Sequence, residues 1–123
     1  MAAFDRVAGT KWDVNELLAR LDGDQAFLRE LLGIFREDSA ANLQKAKTCL
    51  QKQDMPELAR AAHTMKGMLR NLSMHRAGEI AYALEMAGRA EKGEEAEAFL
   101  AQLEEACAEL LPEMEARLAG VEA

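Results

Sequence analysis

The sequence predicts an all-α protein, an antiparallel up-and-down four-helix bundle with a short N-terminal helix capping one end. Three observations carry this. Half of the 123 residues are hydrophobic but only 5% are aromatic, so the core must be built from Leu, Ala and Met, and strand formers are scarce. Apolar residues recur at helical spacing over long segments, with no strand-like alternation. The breaks between those segments are short, which implies neighbours running in opposite directions. The length suits one compact domain: an arm over 1–12, with Trp12 folded onto the bundle, and a single domain over 13–120.

The first helix is expected over 13–21, because Asp13 and Glu16 have capping-box spacing. Asp22-Gly23-Asp24 breaks it. Asp24 then caps a second helix whose apolar face reads Phe27, Leu28, Leu31, Leu32, Ile34 and Phe35. Leu43, Ala46 and Leu50 extend it to about residue 53, with a kink near Asp38-Ser39. Pro56, at the favoured first-turn position, opens a third helix that runs to Leu72. Ser73 is the expected cap of a fourth, over 75–91. After Gly93 a fifth runs over 94–119, lined by Phe99, Leu103, Ala106, Leu110 and Met114, with a kink at Pro112.

The net charge of −7 is unevenly spread. Residues 91–122 hold ten acids against Lys92 and Arg117, whereas residues 55–76 hold Arg60, Lys66, Arg70 and Arg76 against Glu57 alone. An acidic chain with one local basic patch is a poor nucleic-acid binder, because phosphate-backbone affinity needs broad positive charge. The patch is of a size to suit a single phosphate. Cys49 and Cys107 form no ligand spacing and fit a reducing compartment as small buried hydrophobes. With no signal peptide, and no apolar run near the ~20 residues that span a bilayer, a cytoplasmic location without membrane contact is expected.

The third helix carries the chemical signal. Its stripe of Leu58, Ala61/Ala62, Met65, Leu69 and Leu72 suits a bundle seam, and at about 100° per residue His63 falls beside that stripe. Ala59 and Gly67, one turn either way, are too small to cover an imidazole, so His63 is expected exposed in a shallow notch. Gly67 costs a helix interior about 1 kcal/mol relative to alanine, and clearance for a partner's backbone explains tolerating it. Arg60, Lys66 and Arg70 form a cationic stripe able to stabilise a phosphoryl group, with the Lys66 side chain expected at the surface. If the third and fourth helices reverse around residue 74, Glu85 falls opposite His63 and Tyr82 opposite Lys66. A carboxylate there can accept one ring N–H, fixing the tautomer and leaving the other nitrogen as nucleophile. A lone helical histidine is more often a plain surface residue. Its small flankers, basic stripe and opposing Glu set this one apart.

The segment Leu58-Ala-Arg-Ala-Ala-His63-Thr-Met-Lys66-Gly67, followed by Asn71-Leu72, resembles the signature of histidine-containing phosphotransfer (HPt) domains. Their pattern is roughly A-H-x-L-K-G-small-small-x-x-hydrophobic-Gly. The resemblance extends to 13–21, to 24–35 and to Ala83-Leu84-Glu85. It implies that His63 takes phosphate on Nε2 from a receiver-domain aspartate and passes it to another, with Lys66 and Gly67 supporting the phosphate and giving access to it. Three positions depart from the pattern: Met68 and Leu69 replace small residues, and Ser73 replaces the glycine that usually ends the helix. Bulk at 68 and 69 either repacks the seam or narrows the approach to His63.

The expected function is therefore a phosphorelay intermediate. His63 is the phosphoacceptor, Lys66 and Glu85 assist it, and Arg60, Gly67 and Arg70 contact phosphate or partner. The partners expected are response-regulator receiver domains, with a hybrid sensor kinase as a further candidate, and the chain itself is expected to be monomeric. No Gly-rich phosphate loop is present, so the chain is a phosphocarrier rather than a kinase with its own ATP site. No metal site and no cofactor are expected, since the receiver brings Mg²⁺. The rival is a helical adaptor bundle, a degenerate HPt domain whose histidine no longer transfers phosphate.

Overall fold

A computed structural model of the chain describes residues 9–120. Five α-helices follow one another, and no strand occurs among the described residues: α1 (Val14–Arg20), α2 (Gln25–Gln51), α3 (Met55–Asn71), α4 (His75–Arg89) and α5 (Gly93–Leu118). Aspartates open the first three. Asp13 accepts from the Glu16 N–H, Asp24 from Phe27 and Asp54 from Glu57, each satisfying an orphan donor of the first turn. No break falls at Asp38-Ser39, where α2 continues as one helix, and α5 likewise continues through Pro112. Of the expected arm, residues 1–8 lie outside the described residues.

The four turns between helices share one device. Each helix ends with a left-handed residue, Asp22, Gln53, Ser73 or Glu91, with φ of 54°, 57°, 58° and 55°. The residue after each donates its N–H back to a carbonyl of the last turn, as Met74 does to Leu69 at 3.0 Å. This is the Schellman closure, made here without glycine. It overturns the expectation that Ser73 caps α4. Ser73 is wholly buried at the end of α3, and the N-cap is Met74, which makes no side-chain capping bond.

The strap before α1 supplies what that turn lacks. The Thr10 carbonyl accepts from Arg76 N–H, in the first turn of α4, at 2.9 Å. Three carbonyls at the end of α3 also find donors: Trp12 Nε1 reaches Leu72 O at 2.8 Å, Arg20 reaches Asn71 O at 2.9 Å, and Asp13 N–H reaches Ser73 O at 2.9 Å. A buried Trp12 and a seven-residue helix are thereby fixed across the α3–α4 turn.

α2 packs on α3 and α5, and α4 packs on the same two helices, so the four long helices enclose one core. Leu28, Leu32, Leu58, Met65, Leu69, Ile80, Leu84, Leu103 and Met114 lie at its centre, essentially without solvent contact. The predicted stripe of α3 is buried throughout. The apolar face of α2 divides instead, with Leu28, Leu32 and Phe35 buried but Phe27 and Ile34 exposed. Six apolar residues in nine positions subtend more of a helix than one neighbour can cover.

Candidate functional site

The geometry begins with two glycines. A Cβ at Gly88 would sit 3.1 Å from the backbone nitrogen of Ala59 and 3.2 Å from its Cα. Only glycine lets α4 approach α3 so closely, and Ala59 is buried beneath it. At Gly67, by contrast, a Cβ would meet nothing within 4 Å. Gly88 is required by packing inside the protein, and Gly67 is not.

From the Ala59–Gly88 contact the pairings ascend α3 as they descend α4. His63 meets Glu85, Lys66 meets Tyr82, and Arg70 meets Glu79. His63 stands exposed, its side chain retaining 61% of its accessible surface, while Glu85 beside it retains 2%. Glu85 Oε2 lies 3.1 Å from His63 Nδ1, and Lys66 Nζ lies 2.8 Å from Glu85 Oε1. Arg89, one turn along α4, donates from Nη2 to Glu85 Oε2 at 2.7 Å.

Glu85 is therefore a buried carboxylate with two hydrogen bonds at Oε2, to His63 and Arg89, and an ion pair to Lys66 at Oε1. Burial alone pushes its carboxyl up. The bonds from Lys66, His63 and Arg89 outweigh that and hold it below the ordinary glutamate value. It is ionised at neutral pH and can only accept hydrogen bonds. In the neutral ring of His63 the proton then belongs on Nδ1, and Nε2 keeps its lone pair.

The other predicted residues are placed as follows. Lys66 is not at the surface as expected: its side chain is only 16% exposed, held between Glu85 and the Tyr82 ring, whose centroid is 5.3 Å from Nζ. A buried carboxylate draws the nearest flexible cation inward. Arg70 pairs with Glu79 at 3.0 Å and lies 5.6 Å from the same ring, so it extends the cationic stripe without touching His63. Arg60 is exposed, 3.5 Å from Glu57. Arg60 and Arg89 line a cleft of about 450 Å³ together with His63, Ala59 and Gly88.

Arg89 was missed from the sequence, although Glu85 and Arg89 have the i,i+4 spacing that pairs opposite charges on a helix. Of the departures from the motif, Leu69 points wholly into the core and cannot narrow an approach to His63, whereas Met68 is half-buried. Ser73 takes the left-handed backbone that glycine adopts most easily. Its hydroxyl donates to Glu16 Oε1 at 2.7 Å and accepts from Arg20 at 2.5 Å.

Away from His63, Asp13, Glu16 and His75 bring three potential ligand atoms within 4.8 Å of one another, a group the sequence reading did not find. Asp13 caps α1, and Glu16 accepts from His75 Nε2 at 2.9 Å. Cys49 and Cys107 are free. Burial, then the Glu104 charge, pushes the Cys107 thiol up to about 12, which leaves it unreactive. Among the described residues no helix is long and apolar enough to cross a membrane.

No curated protein and no solved structure matches the chain. A family model for the Hpt domain does match, over residues 30–119, a span that takes in α3, α4, all of α5 and most of α2. An exposed histidine on a basic helix, backed by a buried carboxylate, thus sits in a chain that belongs to the Hpt domain family, whose helical bundles serve phosphotransfer in two-component signalling.

Proposed function

We propose that this chain is a phosphocarrier, with His63 accepting a phosphoryl group from a receiver-domain aspartate and passing it to another. The single observation that carries this is the His63–Glu85 pair, an exposed imidazole whose Nδ1 is held by a buried ionised carboxylate. As Nε2 attacks phosphorus, the N–P bond forms, the P–O bond to the receiver's aspartate breaks, and the aspartate leaves as carboxylate. The ring keeps its Nδ1 proton and becomes cationic, so the bond to Glu85 strengthens as the reaction proceeds. The receiver brings its own Mg²⁺ and acidic pocket, and the chain's basic face around His63 complements that acidity. Lys66 and Glu85 assist the ring, while Arg60, Gly67 and Arg70 meet the phosphate or the partner.

The supporting architecture is an antiparallel up-and-down arrangement of α2–α5, with α1 capping the end where α3 turns into α4, as one domain over 13–120. A monomer in the cytoplasm suffices, since one exposed histidine requires no second copy. His63→Gln tests the function: glutamine keeps polarity and approximate size but has no nucleophilic ring nitrogen. Phosphoryl acceptance from a phosphorylated receiver should vanish while the thermal midpoint stays put, because exposed substitutions usually fall within about ±0.5 kcal/mol. Wild type that no receiver phosphorylates would instead mark a helical adaptor.

A further inference from the structure

Lys66 is the cation that the motif offers to the phosphate, yet its position argues against that use. Its side chain is largely buried, its ammonium paired with Glu85 Oε1 at 2.8 Å and lying over the Tyr82 ring. Moving it onto His63 Nε2 would strip the buried carboxylate of its least exposed partner, and an unpaired buried charge is costly. Arg89 has the opposite character. Its side chain is 63% exposed, and it binds the same Glu85 oxygen as His63 Nδ1, at 2.7 Å against 3.1 Å. It also faces the cleft of about 450 Å³ that His63 shares with Arg60.

The charges around Glu85 are consistent with this division. One carboxylate is met by two permanent cations, Lys66 and Arg89, so one can leave without exposing a bare buried charge. Once His63 is phosphorylated its ring is cationic, and Glu85 Oε2 gains a full charge on Nδ1 in exchange for Arg89. A planar guanidinium suits the equatorial oxygens of a phosphoryl group better than a point charge does. Glu91 also lines the cleft, so the two guanidiniums carry its excess of positive charge.

We propose, on the footing that His63 is a phosphocarrier, that Arg89 is a phosphate-binding residue of this site. It releases Glu85 Oε2 and, with Arg60 across the cleft, clamps the phosphoryl group on Nε2, while Lys66 stays on Glu85 as its fixed counter-ion. Atoms balance without a further proton: Nε2 bonds phosphorus, the donor's leaving group departs, and the Nδ1 proton remains between the ring and Glu85.

The test uses the full chain as wild type, Arg89→Ala, Arg89→Lys and Lys66→Ala. Each is phosphorylated separately by a phosphorylated receiver and by phosphoramidate, a small donor that needs no docking surface. Arg89→Ala should slow acceptance from both donors on the order of tenfold or more, the loss typical of a charge-assisted contact, and Arg89→Lys should recover part of it. In wild type the side-chain N–H resonances of Arg89 should shift when His63 is phosphorylated, while those of Lys66 hold still. Wild-type rates in Arg89→Ala, or Arg89 resonances that do not move, would overturn the role of Arg89 and leave the phosphocarrier intact. Wild type that accepts phosphate from neither donor would bring down both.

Discussion

Replacing Gly67 by alanine should make the protein more stable and a worse phosphocarrier. The added Cβ would meet no atom within 4 Å, and Gly67 lies well inside α3, four residues from its last residue, Asn71. Alanine there gains the full helix-propensity difference of about 1 kcal/mol. For a domain of this size that corresponds to a rise in thermal midpoint of about 3–5 °C. The same methyl group stands one turn from His63, on the side a partner must approach. If the open space serves partner clearance, transfer from a phosphorylated receiver slows while chemical phosphorylation by phosphoramidate does not. Gly88→Ala is the contrasting perturbation, because its Cβ would lie 3.1 Å from the Ala59 backbone nitrogen. There the helices must part, at a cost of about 1–3 kcal/mol, and the His63–Glu85 bond stretches with them. Circular dichroism melts and transfer kinetics on the two variants read both effects. A destabilised Gly67→Ala would refute the packing argument. A stabilised one with unchanged receiver kinetics would refute the clearance argument and leave Gly67 unexplained.

Three further outcomes follow from the same geometry. Lys66→Ala should lose about 1–3 kcal/mol in urea unfolding, because it takes away a partner of a buried carboxylate; an unchanged midpoint would mean that Arg89 and His63 suffice for Glu85. Glu85 is held below its ordinary value of 4.5, so its contribution is fully present above that pH and is lost as pH falls from there through the depressed value. The stability gap between wild type and Glu85→Gln should thus be constant from neutral pH down to about pH 4.5 and then narrow, and a gap that widens in acid would reverse the sign of the argument. Ser73→Ala should cost about 1–3 kcal/mol, because it keeps φ at 58° and loses the bonds to Glu16 and Arg20. Ser73→Gly should lose less, having relieved the left-handed backbone, and equal melts for the two would show no strain at that position.

Much of the frame was legible because it depends on local signals. Asp13, Asp24 and Pro56 mark helix starts through donors and dihedrals that any helix must satisfy, and the stripe from Leu58 to Leu72 is set by periodicity alone. Glu85 could be set opposite His63 because a short reversal near residue 74 fixes the pairing of two helices. Ser73 was misjudged for a related reason. A serine before a helix commonly caps it, but here the preceding helix closes first and takes Ser73 as its left-handed terminus. The α4 cap then comes from the Thr10 carbonyl, more than sixty residues away in sequence, and no local rule points to it. The split of Phe27 and Ile34 from Leu28 and Leu32 was equally closed to local reading, since it depends on which neighbours α2 meets.

The same distinction explains why the basic stripe was only half understood. Counting cations near His63 finds Arg60, Lys66 and Arg70, but their roles are decided by which of them a buried carboxylate captures. Burial at Glu85 follows from the close approach that Gly88 permits, and once the carboxylate is inside, desolvation makes it recruit the nearest long cations. Lys66, one turn from His63 on α3, and Arg89, one turn from Glu85 on α4, are both within reach. They differ in what leaving would cost. Lys66 would have to come out from under Tyr82, whereas Arg89 is already mostly in water beside the cleft. A motif records that a cation stands three residues after the histidine; the packing of α4 on α3 decides that this cation is held under Tyr82 on Glu85, while the second cation on Glu85, Arg89, stays mostly in water beside His63.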